Sequence, residues 1–102
     1  SLSSQRYKSD IQDMDDMGLD TVLKMRPVTF ISRIHPEQGR QPGFIAEDAE
    51  LVDRRLVLYE KGLANSFRYL EYTAVLTRAI QQQQVRITEL ESRLIQLEAR
   101  QN

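Results

Sequence analysis

A heptad repeat of apolar residues fills the last third of the chain and restricts what it can fold into. The repeat alternates spacings of three and four residues, which defines the two core positions, a and d, of a coiled coil. The a positions are Thr73, Ile80, Ile87 and Leu94, and the d positions are Leu76, Gln83, Leu90 and Leu97. A lone helix gains nothing from this narrow stripe, because only a second helix can bury it. The sequence therefore predicts a coiled coil between copies of the chain, from about residue 76.

The charges beside the repeat indicate that the helices run parallel. Arg86 and Arg93 occupy g positions, and Glu91 and Glu98 occupy the e positions five residues later. In a parallel coiled coil, a g side chain reaches the e side chain of the next heptad on the partner. Each of these pairs therefore joins unlike charges across the seam.

The core positions also bear on the number of helices. Isoleucine at a with leucine at d favours two helices in simple parallel coiled coils. Gln83 places a polar amide at a d position, which costs stability but can fix the register and the oligomer number. Taken alone, the core residues favour a dimer.

Composition excludes several classes of site. The chain has 102 residues and no cysteine, so disulfides and thiolate metal sites are excluded. His35 is the single histidine, so a metal site that needs two is excluded as well. The net charge of −1, with basic residues scattered among acids, argues against a nucleic-acid or membrane partner. No apolar run approaches the ~20 residues of a membrane span, and no signal peptide opens the chain. We expect a soluble protein with no metal and no cofactor.

The chain before the repeat reads as a small mixed unit of roughly 70 residues, near the lower limit for an independent core. Pro27 should end a first helix, and Lys61-Gly62 is a turn signal between two strands. The predicted elements are a helix over Ile11–Met25 interrupted near Gly18, a strand Val28–Ile31, a loop His35–Pro42, a short apolar turn or strand Gly43–Ala46, a helix Glu47–Val52, strands Leu56–Tyr59 and Leu63–Phe67, and a helix from Leu70 onward.

The predicted fold class is therefore α+β, a small globular part followed by a long C-terminal helix that forms a parallel coiled coil. We divide the chain into a segment 1–10, a globular core 11–69 and a helix 70–102. The first half of that helix has a wide apolar face, because Tyr72 and Val75 add to the seam. This half should pack on its own globular part as well as on partners.

Four stretches, in this order, carry a family resemblance. They are Ser3-Ser4-Gln5-Arg6-Tyr7-Lys8, Leu23-Lys24-Met25-Arg26-Pro27-Val28-Thr29-Phe30, Gly43-Phe44-Ile45-Ala46-Glu47-Asp48, and Ser66-Phe67-Arg68-Tyr69 with Leu76 and Ala79-Ile80. Together they resemble the C-terminal intramolecular chaperone domain of phage tailspikes and tail fibres, the peptidase S74 type found in endosialidase tailspikes. Glu47 stands where that family usually has glutamine.

The resemblance implies a domain of a virus-encoded fibre that trimerises, guides folding of the β-rich region upstream and then cuts itself off. A trimer stands against the dimer preference of the core residues. The protein would be made in the host cytoplasm, and the cut domain would be released or stay on the virion without a covalent link. The cut would fall between Leu2 and Ser3, so that Ser3 would become the first residue; here Ser1 and Leu2 still precede it.

The resemblance also implies the residues of the reaction. Ser3 would attack the carbonyl carbon of Leu2, and Lys8 would act as the base if its amine were neutral, a state that burial or a nearby positive charge favours. Arg6 could supply that charge or orient the loop. Backbone amides near Gly43 and Phe44 are candidates for an oxyanion hole. Both an N-to-O acyl shift and a Ser-Lys dyad fit these residues.

Two alternatives keep the coiled coil and change the function. One is a trimerisation module without cleavage, in which Ser3 and Lys8 are ordinary surface residues. The other is the processing domain of a cellular regulator with a membrane-anchored or DNA-binding part upstream.

Overall fold

A computed structural model describes residues 2–101 and shows an α+β fold in which one long helix carries a small globular part. Ser1, in the predicted segment 1–10, and Asn102, at the end of the predicted helix, lie outside the described residues. The helices are α1 (Leu19–Lys24), α2 (Ala46–Val52) and α3 (Tyr69–Gln101), and the strands are β1 (Val28–Ile31), β2 (Arg40–Gly43), β3 (Val57–Glu60) and β4 (Leu63–Phe67). Short 3-10 turns cover Gln5–Tyr7, Pro36–Gln38 and Arg54–Leu56.

The strands form two antiparallel hairpins. β1 pairs with β2 from Val28 opposite Gly43, and β3 pairs with β4 from Val57 opposite Phe67, with an irregularity between Leu58 and Tyr59. The turn of the second hairpin is the predicted pair Lys61-Gly62, with φ of 52° and 78°. Positive φ at both positions matches the twist of the flanking strands, so this hairpin is confirmed where the sequence placed it.

The core lies where α2, the second hairpin and the first turns of α3 meet. Its buried side chains are Ala49, Leu56, Val57, Phe67, Tyr72 and Val75. Four aromatic rings lie side by side in and beside it, with Phe44 4.8 Å from Phe67 and 5.4 Å from Tyr72 between ring centroids. Edge contacts between aromatic rings add to the burial of apolar area and fix the angle at which chain elements cross. The rings therefore fasten the start of α3 to the end of β4.

The first predicted helix is wrong over its first half. Only Leu19–Lys24 is helical, and Gly18 is the residue that begins the helix. Residues 11–17 form no regular helix, and Met14 lies against α3 instead. Arg78 donates from Nε to the carbonyl oxygen of Met14 at 2.9 Å, and the Leu19 amide donates to Gln82 Oε1 at 2.7 Å. These bonds to α3 satisfy backbone groups that a helix would have paired internally, which local sequence cannot reveal.

The predicted loop His35–Pro42 is also wrong at its end. Its first part holds the 3-10 turn Pro36–Gln38, but β2 already begins at Arg40 and includes Pro42. Proline lacks an N–H, and a strand of a two-stranded sheet tolerates it because one edge of each strand has no partner. The helix predicted over Glu47–Val52 is confirmed, starting one residue earlier at Ala46.

The long helix has two parts with different surroundings. Up to Gln82, it is packed on the globular part through the buried side chains Tyr72, Val75 and Ala79. Beyond Gln82 every described residue is exposed. The six large apolar residues of the heptad seam, from Leu76 to Leu97, are between 39% and 66% exposed in the single chain. The globular part thus covers a different face of α3 and leaves the seam open.

None of the helices among residues 2–101 has the length and apolar character that crossing a membrane requires.

Candidate functional site

A tight turn near the N-terminus brings Ser3 and Lys8 to one place. Residues Gln5–Tyr7 form a 3-10 turn, in which the Tyr7 amide donates to the Ser4 carbonyl oxygen at 3.0 Å and the Lys8 amide to that of Gln5 at 3.1 Å. A 3-10 turn advances only ~2 Å per residue, against ~3.3 Å in an extended strand. The turn therefore shortens the path from Ser3 to Lys8, and both side chains line the same hollow.

The other wall of this hollow is the beginning of α3. Leu70, Glu71, Thr73 and Ala74 line it together with Ser3 and Lys8, around a volume of about 450 Å³. Leu70, Thr73 and Ala74 follow the spacing of three and four that places side chains on one face of a helix. Ser3 and Lys8 are both exposed in the single chain, so the hollow is an open groove between the N-terminal segment and α3.

Arg6 bonds to residues of its own turn. Its guanidinium donates to Ser4 Oγ at 3.1 Å and to the Tyr7 hydroxyl at 2.9 Å, and it lies 4.5 Å from the centroid of the Tyr7 ring. The Ser4 hydroxyl also caps the turn by accepting from the Arg6 amide at 3.4 Å. These contacts give Arg6 a role in holding the shape of the turn between Ser3 and Lys8.

Gly43 and Phe44 lie elsewhere in this chain. Neither is among the described residues that line the hollow of Ser3 and Lys8. The Phe44 amide donates to the Tyr69 hydroxyl at 3.0 Å, so in this structure it already has an acceptor. Gly43 packs against that hydroxyl and the Phe30 ring. The structure therefore gives these two residues a part in joining β2 to α3.

The hollow lies beside the heptad seam. Thr73 is an a position, and Leu70 would be an e position if the heptad frame is continued backwards by one turn. The face that α3 buries in its own globular part consists of the g and c positions, Tyr72, Val75 and Ala79. The hollow and the buried face therefore lie on opposite flanks of the seam, and a second helix placed on the seam would lie next to Ser3 and Lys8.

The residues that the sequence predicts for the heptad seam are exposed in the structure. Leu76, Ile80, Gln83, Ile87, Leu90, Leu94 and Leu97 are all exposed in α3. Such a long apolar stripe is rare on a protein that stays alone in water. Its exposure supports the predicted association surface.

The groups whose pKa values are shifted lie outside the hollow of Ser3 and Lys8. Hydrogen bonds from the Arg55 side chain hold the pKa of the Asp53 carboxyl below its ordinary value, and the bonds to Asp53 and Asp16 raise the pKa of Arg55. Burial raises the pKa of the Tyr72 hydroxyl. Within residues 2–101, no group of histidine, cysteine or acidic side chains is arranged to hold a metal ion.

The sequence did not predict that residues of α3 line the site. Glu71 lines the hollow together with the apolar residues Leu70 and Ala74. The periodicity of α3 could have indicated which helix residues share a face, but not that the N-terminal segment lies against that face. That placement depends on contacts between residues far apart in the chain.

A comparison with protein families finds one match. The model of the peptidase S74 family, described as chaperone of endosialidase, matches residues 3–58, which is more than half of the chain. The match begins at Ser3 and includes Lys8 and the Gly43–Asp48 stretch, whereas β4 and α3 lie outside it. Comparisons with curated proteins and with solved structures give no match.

Proposed function

The chain belongs to the peptidase S74 family, described as chaperones of endosialidase, and we propose from this premise that it is an intramolecular chaperone that cuts itself off. Three copies would join through α3 and hold the upstream parts of a phage tailspike or tail fibre in register. Each copy would then cleave its own chain between Leu2 and Ser3. The protein would be virus-encoded and made in the host cytoplasm, and its chaperone part would be released or stay on the virion without a covalent link.

One observation carries the proposal of cleavage: Ser3 and Lys8 line a common hollow. A serine hydroxyl is a weak nucleophile unless a base removes its proton, and a neutral lysine amine can be that base. Two side chains five positions apart in an irregular segment have no general reason to face the same space. The 3-10 turn of Gln5–Tyr7 gives them that arrangement.

The reaction would proceed in two balanced steps. Ser3 Oγ attacks the carbonyl carbon of Leu2 while the Lys8 amine accepts the hydroxyl proton. The Leu2–Ser3 carbon–nitrogen bond then breaks, the nitrogen takes up a proton, and the Leu2 acyl group is left as an ester on Ser3 Oγ. Water hydrolyses this ester, giving a Leu2 carboxylate and restoring the Ser3 hydroxyl. An N-to-O acyl shift and a Ser-Lys dyad share these bond changes.

The open seam of α3 supports the proposal of assembly. Three fibre chains must meet in register before β-structure that winds between them can form. Joining them at one end raises their effective concentration to roughly the millimolar range and sets their relative order. After the cut, the fibre no longer carries the module that helped it fold, and its persistence depends on the barrier to unfolding.

The site's position on the flank of the seam would couple the two activities. In the single chain, Ser3 and Lys8 are exposed to water. A second helix on the seam would cover that side of the hollow, and burial favours the neutral form of a lysine amine. Cleavage would then follow assembly. An association-deficient chain that cuts itself at the normal rate would contradict this coupling.

Intact mass spectrometry tests the cleavage. The chain should be produced with about fifty residues of native sequence upstream of Leu2, enough to exceed a tight turn. We expect two fragments that divide between Leu2 and Ser3, and an undivided chain for Ser3→Ala. Ser9→Ala is the matched control, because Ser9 is an exposed serine of the same segment and should leave cleavage unchanged. Cleavage of Ser3→Ala at the same bond would contradict the role of Ser3.

The alternative is an assembly module without cleavage. It is favoured by the exposure of Ser3 and Lys8 and by the hydrogen bond that occupies the Phe44 amide. If the wild type and both serine variants stay whole while the protein forms a stable oligomer, this alternative holds and the catalytic proposal fails.

A further inference from the structure

A second hollow, almost wholly apolar, lies on the other flank of the heptad seam. It holds about 370 Å³ and is lined by Val22, Met25, Phe44, Tyr69, Tyr72 and Leu76. Leu76 is a d position of the seam, Tyr69 is the d position one heptad before it, and Tyr72 is a g position. We call this hollow the d/g groove. The surface that lines it is almost entirely apolar, so the groove is not built to select a small polar ligand.

The opposite flank of the same helix carries an exposed leucine. Leu70 is 76% exposed although it lies in the first turn of the long helix, and it occupies an e position on the same flank as Thr73. Large apolar side chains at e positions are costly to leave in water, since full burial of a leucine is worth about 1.5–3 kcal/mol. The same residue is a wall of the Ser3 and Lys8 hollow.

The geometry of a parallel coiled coil brings these two flanks together. In this arrangement a d side chain inserts into a hole on the facing helix formed by the equivalent d residue, the e residue that follows it and the a residues on either side. The pairs of Arg86 with Glu91 and Arg93 with Glu98 join unlike charges only in this parallel arrangement. The charges thus fix the direction of the helices, and the direction sets Leu70 of one copy beside Tyr69 of the next.

We infer that Leu70 of each copy inserts into the d/g groove of the neighbouring copy. This inference rests on the assembly that we propose above and identifies a contact between copies at the first turn of α3. The occupant of the groove is a second copy of this chain. The contact holds for two or three helices, because in both cases each e flank meets the g flank of a neighbour.

The contact also has a consequence for the cleavage hollow. Because Leu70 forms one wall of that hollow, a neighbour that seats Leu70 also places its own Tyr69 on the flank that carries Ser3 and Lys8. The wall would then be held in one position by the neighbour. The neighbour therefore contributes to the site at the one side where α3 alone leaves it open.

Sedimentation equilibrium of the full chain tests the contact. We expect Leu70→Ala to weaken association by about tenfold or more, because the burial of one leucine per contact is lost. Leu51→Ala is the matched control, since Leu51 is 87% exposed on α2 and lies outside both hollows. It should associate as the wild type does. Circular dichroism below the association range should show the same helix content for both variants.

A double-mutant cycle identifies the partner of Leu70. Met25→Ala widens the groove, and Val22→Ala is a second groove variant for use if the first lowers the stability of the single chain. If Leu70 sits in the groove, the effect of Leu70→Ala should shrink clearly in the Met25→Ala background. If Leu70→Ala lowers the association constant by the same factor in the Met25→Ala and Val22→Ala backgrounds as in the wild type, the inference is overturned.

The outcomes separate the inference from the proposed function. A wild-type chain that remains single at high concentration would refute the proposed assembly. A wild-type chain that associates, with Leu70→Ala associating equally well, would refute only the contact inferred here.

Discussion

Gly43 is the residue where three parts of the fold approach most closely. A Cβ atom at this position would lie 2.7 Å from the Tyr69 hydroxyl and 2.8 Å from the Phe30 ring. The Tyr69 hydroxyl accepts a hydrogen bond from the neighbouring Phe44 amide, so it cannot move away without breaking that bond. Gly43 is therefore required by packing between β1, β2 and α3, which explains the glycine at the head of the Gly-Phe-Ile-Ala stretch.

Replacing this glycine should destabilise the globular part. We expect Gly43→Ala to lower the free energy of unfolding by about 1–3 kcal/mol, because the new methyl group forces the Tyr69 and Phe30 side chains apart. Urea unfolding followed by circular dichroism measures the change. Gln41→Ala, in the same strand, controls for altering β2 and should have a much smaller effect. Equal effects of the two variants would show that the close approach at Gly43 is relaxed in solution.

The four consecutive glutamines of α3 have different roles although they are chemically identical. Gln81 accepts from Arg78 at 3.1 Å, Gln82 accepts from the Leu19 amide at 2.7 Å, and Gln84 donates to Thr88 at 3.3 Å. Among the described residues of this run, Gln83 is the one whose side chain makes no hydrogen bond, and it lies on the seam between Ile80 and Ile87. A buried amide needs a partner. In an assembled coil, that partner would be Gln83 of another copy.

Replacing Gln83 with an apolar residue should stabilise the coiled coil and make the alignment of its helices less specific. We expect Gln83→Leu to raise the thermal midpoint of the assembled protein, because an amide in the seam is replaced by an apolar side chain. The gain in the free energy of unfolding should be about 1 kcal/mol per copy. Gln81→Leu makes the same chemical change off the seam and should leave the midpoint nearly unchanged. Thermal unfolding at one chain concentration compares them. A lower midpoint for Gln83→Leu would place Gln83 outside the seam.

Whole-molecule integrity depends on ties between the segment before α1 and the turn before β3. Arg55 pairs with Asp53 at 2.7 Å within its own turn and with Asp16 at 2.7 Å across the fold. Asp53 also accepts from the Arg55 amide, capping the 3-10 turn Arg54–Leu56. The guanidinium thus joins Arg55 to Asp16, 39 positions earlier in the sequence. The same segment is tied to α3 by Arg78 and Gln82, so residues 14–19 link the globular part to the long helix.

These ties predict an acid-sensitive stability. The pKa of Asp53 is lower in the folded chain than its ordinary value of 3.8, mainly because of the side-chain hydrogen bond from Arg55. The stability it contributes is fully present above that ordinary value and is lost as pH falls through the folded-state pKa. We expect Asp53→Asn to cost about 1 kcal/mol or less near neutral pH, since Arg55 is half-exposed, and nothing in strong acid.

Urea unfolding at about pH 6 and about pH 3, at one chain concentration, measures this difference. Asp13→Asn is the control, because Asp13 is an exposed aspartate of the same acidic stretch. A gap between wild type and Asp53→Asn that is as wide in acid as at neutral pH would contradict the assignment to the Asp53 carboxylate.

Sequence alone determined the features that depend on local periodicity and turn chemistry. The heptad spacing predicted α3 and its seam, and the structure shows the helix over Tyr69–Gln101 with that seam open. The pair Lys61-Gly62 predicted the second hairpin, because few residues accept positive φ twice in succession. Both signals act between residues close in the chain, so they need no knowledge of the rest of the fold.

Tertiary structure decided the features that depend on distant partners. The predicted first helix begins only after Gly18 because Arg78 bonds the Met14 carbonyl and Gln82 bonds the Leu19 amide, the first of α1. Arg40–Gly43 becomes a strand because β1 supplies its hydrogen bonds. Ser3 and Lys8 share a hollow with Leu70 and Thr73 because the N-terminal segment lies beside the first turn of α3. In each case a long-range contact outweighs a weak local preference, since local propensities differ by only about 1 kcal/mol per residue.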